Sequence, residues 1–410
     1  MVQVIVVALS EPLQPFGLIA DLCPLGATTF GATRDQTLRA LGLAPPAQKA
    51  TAATTIMGPA LVMSDELWVT RRALRSFLQL TRSLSSAVRL ALPASRLLQL
   101  MEPLQDLEHE PAGGCVFPCA FVPAGTTMTA AEALTAPGML IPYREILMAV
   151  PVPRALLGRE LATTTWPLTS TVALRVRHWL HVLRASHLAP QVYLLERALA
   201  DPLRSAVRAL LGLRLSKNAR FSAWKRQFLF RGQRTFIHPS AIVEASVIGD
   251  DVTIGAQAVV LQSVIGDGVV IEQRAHVAQS TLGARTFVSL NSSMQACCTF
   301  ADADACANNL QGCVVGAGAG LSSFARGLDT VVDGPVRVDD NGTLRSAGEL
   351  PCGVAFGPGC YVGANVTIAA GRVVGAGVRV LGPPQGILRR IGSEQPGTFV
   401  VDDGQLRCVD

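Results

Sequence analysis

Lysine is nearly absent from this 410-residue chain: Lys49, Lys217 and Lys225 are the only three. The stretch from Leu9 to Leu25, which follows the first apolar run, contains no Arg or Lys and a single glycine, Gly17. A phosphate cradle made of glycine N–H groups and cations is therefore missing there. Charged residues are 16% against 49% hydrophobic, a balance that excludes global disorder. No apolar run reaches the about 20 residues that span a bilayer. None of the ten cysteines forms a CxxC pair, which removes the usual paired zinc ligands. Cys297, Cys298, Cys306 and Cys313 come nearest to a cluster, with no histidine interleaved. Met1 to Ser10 lacks a basic flank, so its short β-branched run reads as a buried first strand rather than a secretion signal. A cytoplasmic location with reduced, buried thiols is expected.

What is present is unevenly spread. Residues 171–235 carry 13 Lys and Arg against Glu196 and Asp201, a local charge of +11, while the remainder carries −6 and the whole +5. Such a block can lie on an anionic membrane surface, hold the phosphates of coenzyme A or a nucleotide, or join two domains with its basic face toward the acidic remainder. No nucleic-acid partner is expected.

Three regions follow from the patterning. Residues 1–152 read as an α/β domain. Strands are expected at 2–8 and Ala60–Met63, a helix from the capping box at Thr33–Gln36 through Leu43, and a capped helix at Thr70–Leu78. Ala47–Thr55 reads as a loop and 137–153 as strand-like. Residues 153–235 read as a basic helical connector, because Val172, Val176, Trp179, Leu180 and Leu183 recur at helical spacing, with Ala206, Leu210 and Leu213 continuing the pattern.

Residues 236–392 have another period. Phe236, Ile242, Ile248, Ile254 and Val260 are six apart, and after one-residue slips the pattern runs through Ile265, Ile271 and Val277, then Leu282, Val288, Met294, Phe300 and Cys306. A last run is Leu350, Phe356, Val362, Ile368, Val374 and Val380. Small residues sit two before an aliphatic one, as at Ser240, Ser246, Ala258 and Ala275. Neither a helix nor a flat strand repeats every six residues. A three-sided solenoid does, with aliphatics stacked inside about 4.8 Å apart and small residues at tight corners. Residues 328–347 interrupt the repeat, and Asn341-Gly342 marks a protruding hairpin there. A similar hairpin is expected in the tail, 393–410.

Ile237-His-Pro-Ser-Ala-Ile242, Val247-Ile-Gly-Asp-Asp-Val-Thr-Ile-Gly255, Gln262–Ile271 and Ser280-Thr-Leu-Gly283 resemble the hexapeptide-repeat transferases. They are similar to the acetyltransferase half of the bacterial bifunctional enzymes that make UDP-N-acetylglucosamine. Leu13-Gln-Pro-Phe16 and Leu25–Thr29 resemble a divergent group of sugar-phosphate nucleotidyltransferases. The resemblance implies a degenerate nucleotidyltransferase-like α/β N-domain, a helical connector and a C-terminal left-handed parallel β-helix assembled as a homotrimer. It implies an acyl-CoA or acetyl-CoA donor and a sugar or nucleotide-sugar acceptor. His276 is then the candidate general base, projecting from a coil beside a neighbouring subunit. Asn291, Asn308 and Asn309 are candidates for orienting the acceptor. Asp65, directly after a strand, is where a magnesium-binding carboxylate would stand. The alternative is a trimeric scaffold or regulatory protein in which both active sites have decayed.

Overall fold

The computed structural model describes residues 2–111, 113–151, 163–200, 203, 207, 228–306, 309–331, 334–382, 399–402 and 405–408. An N-terminal α/β region is followed by a C-terminal parallel β-solenoid of the left-handed β-helix kind. The N-terminal sheet runs in the order Gln3–Val7, Ala60–Ser64, Gly114–Val122, Val88–Pro93, Gly138–Leu140. Gln3–Val7 is parallel to Ala60–Ser64, and Gly138–Leu140 to Val88–Pro93, while central Gly114–Val122 is antiparallel to both neighbours. Apart from the edge strand Gly138–Leu140, these strands are buried on both faces and read as continuous apolar runs rather than alternating ones.

Local expectations here are met in part. The helix expected from Thr33 starts earlier, at Phe30–Ala40, because Thr29 is its cap and accepts the Ala32 N–H at 3.2 Å. The second helix is Arg71–Leu80. Thr70 stands at its cap position, but its hydroxyl donates to the Ser170 carbonyl at 2.7 Å and accepts the Val172 N–H at 3.0 Å. The residue thus ties the helix start to a chain segment 100 residues away.

The solenoid has three parallel sheets. The first runs from Phe230–Arg231 to Val373–Val374, the second from Phe236–Ile237 to Arg379–Val380, the third from Ile242–Glu244 to Thr367–Ile368. Equivalent residues are mostly 17 apart, as in Ile248 with Ile265 and Val260 with Val277. A coil is therefore two hexads and a pentad, which accounts for the slips in the repeat. It also corrects four inward assignments. Six-residue spacing was carried past a pentad at Val243–Ile248, so Ile237 and Val243 point inward while Phe236 and Ile242 are 57% and 36% exposed. A second unrecognised pentad, Met294–Thr299, places Thr299 and Ala305 inward and turns Phe300 and Cys306 outward.

The small corner residues have a hydrogen-bonding reason. Ser246, Ser263 and Ser280 are fully buried, and each hydroxyl donates to the carbonyl two residues before it at 2.8 Å. Each then accepts the N–H of its equivalent on the next coil, from Ser263, Ser280 and Cys297. This ladder satisfies backbone groups that a dry core would otherwise leave unpaired. The hairpin is as expected, with Arg337–Asp340 antiparallel to Thr343–Ser346 and positive φ at Asn341 and Gly342. The tail pairs Phe399–Asp402 with Gln405–Cys408.

The connector is not helical throughout. Ala173–Arg175 is a strand paired with Leu67–Val69, and Thr163–Leu168 pairs with Ile146–Pro151. Helix Trp179–Ala200 follows. Val172 and Val176 are thus buried from extended chain, where alternation brings both to one side. Ala206, Leu210 and Leu213 lie outside the described residues. The helix packs on the first solenoid sheet, where Val264, Thr281, Cys298, Val314 and Ala355 point outward yet are almost completely buried.

Candidate functional site

Helix Trp179–Ala200 covers the first solenoid face. On the third, outward side chains align by register. His276 pairs with Ser293, Met294 with Leu310, and Asn309 with Arg326. Ser293 is therefore level with Asn309, and His276, Ser293, Asn309 and Arg326 form one column. Strand spacing places these groups about 5 Å apart per rung, so His276 and Arg326 are about 14 Å apart. The inward neighbours Val277, Met294 and Leu310 are fully buried and fix the backbone beneath the column. His276 and Ser293 are half-buried, Asn309 and Arg326 exposed. An imidazole, a hydroxyl, an amide and a guanidinium in line offer a proton acceptor, two neutral hydrogen-bonding groups and a cation for an anion.

The other asparagines separate from this column. Asn291 sits at a corner with φ 60° and is exposed, its N–H bonded to the Gln273 carbonyl at 3.2 Å. The left-handed corner conformation accounts for an asparagine at this position. Asn308 lies outside the described residues. Sequence reading missed Ser293 and Arg326 as companions of His276. Stepping from His276 by 17, 16 and 17 residues finds Ser293, Asn309 and Arg326, but the lengths of those coils become visible only once the strands are paired.

A second polar cluster stands at the carboxyl ends of strands Gln3–Val7 and Ala60–Ser64. Asp65 Oδ1 accepts the N–H groups of Leu9 and Ser10 at 2.8 and 2.9 Å, and Oδ2 accepts Ser10 Oγ at 2.7 Å and Lys49 Nζ at 2.8 Å. Lys49 Nζ is also 2.8 Å from Asp21 Oδ2, whose Oδ1 is 2.6 Å from Arg34. Burial alone would raise the Asp65 carboxyl; the bonds from Lys49, Ser10 and Leu9 outweigh it and hold the group below the ordinary carboxylate range. The magnesium expectation at Asp65 finds no support here: its oxygens are taken by the chain's own donors, and an ammonium stands between the two carboxylates. Lys49, in the stretch Ala47–Thr55 expected as a loop, is the counter-ion of this cluster. Next to it, Glu66 is raised chiefly by burial, although Arg175 Nε lies 2.7 Å away.

The basic block also meets acids and carbonyls inside the molecule. Arg175 pairs with Glu66, and Arg177 with Asp106 at 2.9 Å. Arg184 is buried, and its Nη groups donate to the carbonyls of Ala347, Leu350 and Pro351 at 3.0–3.1 Å. His187 Nε2 lies 2.9 Å from the Ala296 carbonyl, at a solenoid corner. The Arg175 and Arg177 pairs tie the chain before the helix to the N-terminal region, and Arg184 and His187 fasten the helix to the segment after the hairpin and to a coil corner. No helix among the described residues is long and apolar enough to cross a membrane.

No family model matches this chain, and no curated protein does. Among solved structures, a provisionally assigned acetyltransferase of Bacillus cereus aligns over 38% of this chain and 76% of its own, at 12% identity and a TM-score of 0.22. A likeness this distant says nothing of activity. The parallel β-solenoid itself is the scaffold that hexapeptide-repeat transferases use.

Proposed function

We propose that this chain is a hexapeptide-repeat acyltransferase that moves an acyl group from an acyl-CoA, such as acetyl-CoA, to a sugar or nucleotide sugar. The column His276–Ser293–Asn309–Arg326, half-buried to exposed on the third solenoid face, carries the reading. His276 takes the proton from the acceptor amine or hydroxyl as that atom attacks the thioester carbonyl. The C–S bond breaks, and the imidazolium returns the proton to the departing sulfur. Ser293 and Asn309, one and two rungs away, hold the acceptor's hydroxyl groups. Arg326 stands a third rung on, suited to a phosphate. A homotrimer completes the site by bringing a neighbour's flank against this face.

The N-terminal domain, in this proposal, binds a nucleotide or nucleotide sugar without turning it over, since Lys49 fills the space between Asp21 and Asp65. Arg175, Arg177 and Arg184 serve to join the domains, since each has a partner within the molecule; the basic residues from Arg204 to Arg226 lie outside the described residues.

Turnover with a panel of acyl-CoA donors and amino-sugar or sugar-nucleotide acceptors tests the reading. His276→Ala should lower the transfer rate by about 10²–10⁴-fold with the melting temperature little changed. Unchanged transfer by the variant would move the chemistry elsewhere. No transfer by the wild type would favour the trimeric scaffold. Magnesium, a nucleoside triphosphate and a sugar phosphate should release no pyrophosphate above background.

A further inference from the structure

A group of side chains remote from the His276 column has the composition of a metal site. Glu102 caps the end of helix Arg96–Met101. His109 lies on the short strand Glu108–His109, directly opposite Cys115 on Gly114–Val122 in an antiparallel pair. The turn between them is closed by the Glu110 N–H to the Gly114 carbonyl and the Gly113 N–H to the Glu110 carbonyl, both 2.9 Å. Directly opposed residues of such a pair have Cβ atoms about 4.5–5.5 Å apart. The helix end then brings Glu102 Oε1 to 2.7 Å from His109 Nε2. One ligand atom each from Glu102, His109 and Cys115 lies within 4.8 Å of the others, and among the described residues this is the one group of three possible ligands so arranged.

We propose that Glu102, His109 and Cys115 bind a zinc ion whose fourth position opens into the adjoining cavity. That cavity, about 400 Å³, is lined by Glu102 and His109, by Leu104 and Asp106, and by Arg345 of the protruding hairpin. One thiolate, one imidazole and one carboxylate suit zinc, whose bonds to S, N and O are about 2.0–2.3 Å; the ion would replace the direct Glu102–His109 hydrogen bond, with exposed His109 turning to admit it. Magnesium and calcium prefer all-oxygen shells, which a thiol and an imidazole do not supply. Three protein ligands leave room for a water or a small anion on the cavity side.

Cobalt titration of the full chain, stripped of metal and kept reduced, reads the site directly. The expected result is one equivalent of Co²⁺ with a thiolate-to-cobalt charge-transfer band, displaced by Zn²⁺. Cys115→Ser should abolish the band. His109→Asn and Glu102→Gln should weaken uptake by about tenfold or more. His109 is exposed, so His109→Asn should melt like the wild type in chelator, which separates ligand loss from unfolding. Absence of the band in the wild type would overturn the proposal. So would a band of equal intensity in Cys115→Ser, or unchanged affinity in His109→Asn. Acyl transfer plays no part in these readouts.

Discussion

In the solenoid every inward side chain meets its equivalent one coil on, 16 to 18 residues later except where the hairpin intervenes, so Ile248, Ile265 and Leu282 stack by simple translation. In the N-terminal domain Gln3 pairs with Ala60 and Ala60 with Val122, and nothing periodic announces either contact. The two regions bury comparable runs of Val, Leu and Ala. They differ in whether a core contact lies at a fixed distance along the chain. A repeat protein's stability is nearly a sum of coils and their neighbours, whereas a mixed sheet forms as one cooperative unit. Between them, helix Trp179–Ala200 must satisfy both.

Four substitutions break or sharpen this contrast. Phe356 points inward between Val315 and Val374 and is 1% exposed. Phe356→Ala should cost about 3–5 kcal/mol in chemical denaturation, felt first as increased amide exchange in the coils beside it while the N-terminal sheet stays protected. Arg184→Ala removes a buried cation that satisfies three carbonyls and should cost about 2–4 kcal/mol. Because Arg184 anchors the chain where it re-enters the solenoid after the hairpin, this variant should loosen both regions together. Equal amide-exchange protection around 347–352 in variant and wild type would contradict that role.

Acid should act at the same seam. Burial, helped by nearby cations, lowers His181 and His187 from about 6.5 to about 3. A group whose folded value is depressed is neutral in the fold, so its contribution is full above pH 6.5 and is lost as pH falls toward 3, by up to about 1.4 kcal/mol per pH unit and group. His187→Gln should flatten the fall in stability between those limits, and a parallel pH profile would refute the assignment. The smallest effect belongs to the exposed ladder pairs Arg234–Asp251 and Arg285–Asp302, held at 2.5 and 2.6 Å on coil corners. Arg285→Ala should leave the melting midpoint within experimental error, since exposed ion pairs are screened and their side chains lose entropy.

How much was legible follows the same division. The six-residue pattern revealed the solenoid and its small corner residues, and the Asn341-Gly342 turn revealed the hairpin, because each is a local rule. The pattern alone misplaced Phe236, Ile242, Phe300 and Cys306, since a pentad cannot be told from a hexad until strands are paired. Phe300 shows what the shift means: turned outward, its ring lies 4.5 Å from that of Phe16 in the N-terminal domain. The strand Ala173–Arg175 was hidden in a helical-looking stretch because three residues are too few to show a period. Lys49 looked idle in its loop, since Asp21 and Asp65 lie far from it along the chain.

By itself, then, the sequence determined a stacked β-solenoid behind an α/β domain, because a repeat writes its own contacts at constant separation. The charge of the connector was equally plain from composition. Only tertiary structure decided which solenoid face is covered, which side chains share a column with His276, that Lys49 neutralises Asp65, and that Glu102, His109 and Cys115 converge. Each of those depends on strands and helices meeting across separations that no local pattern encodes, where pairing register and burial, not propensity, choose the neighbours.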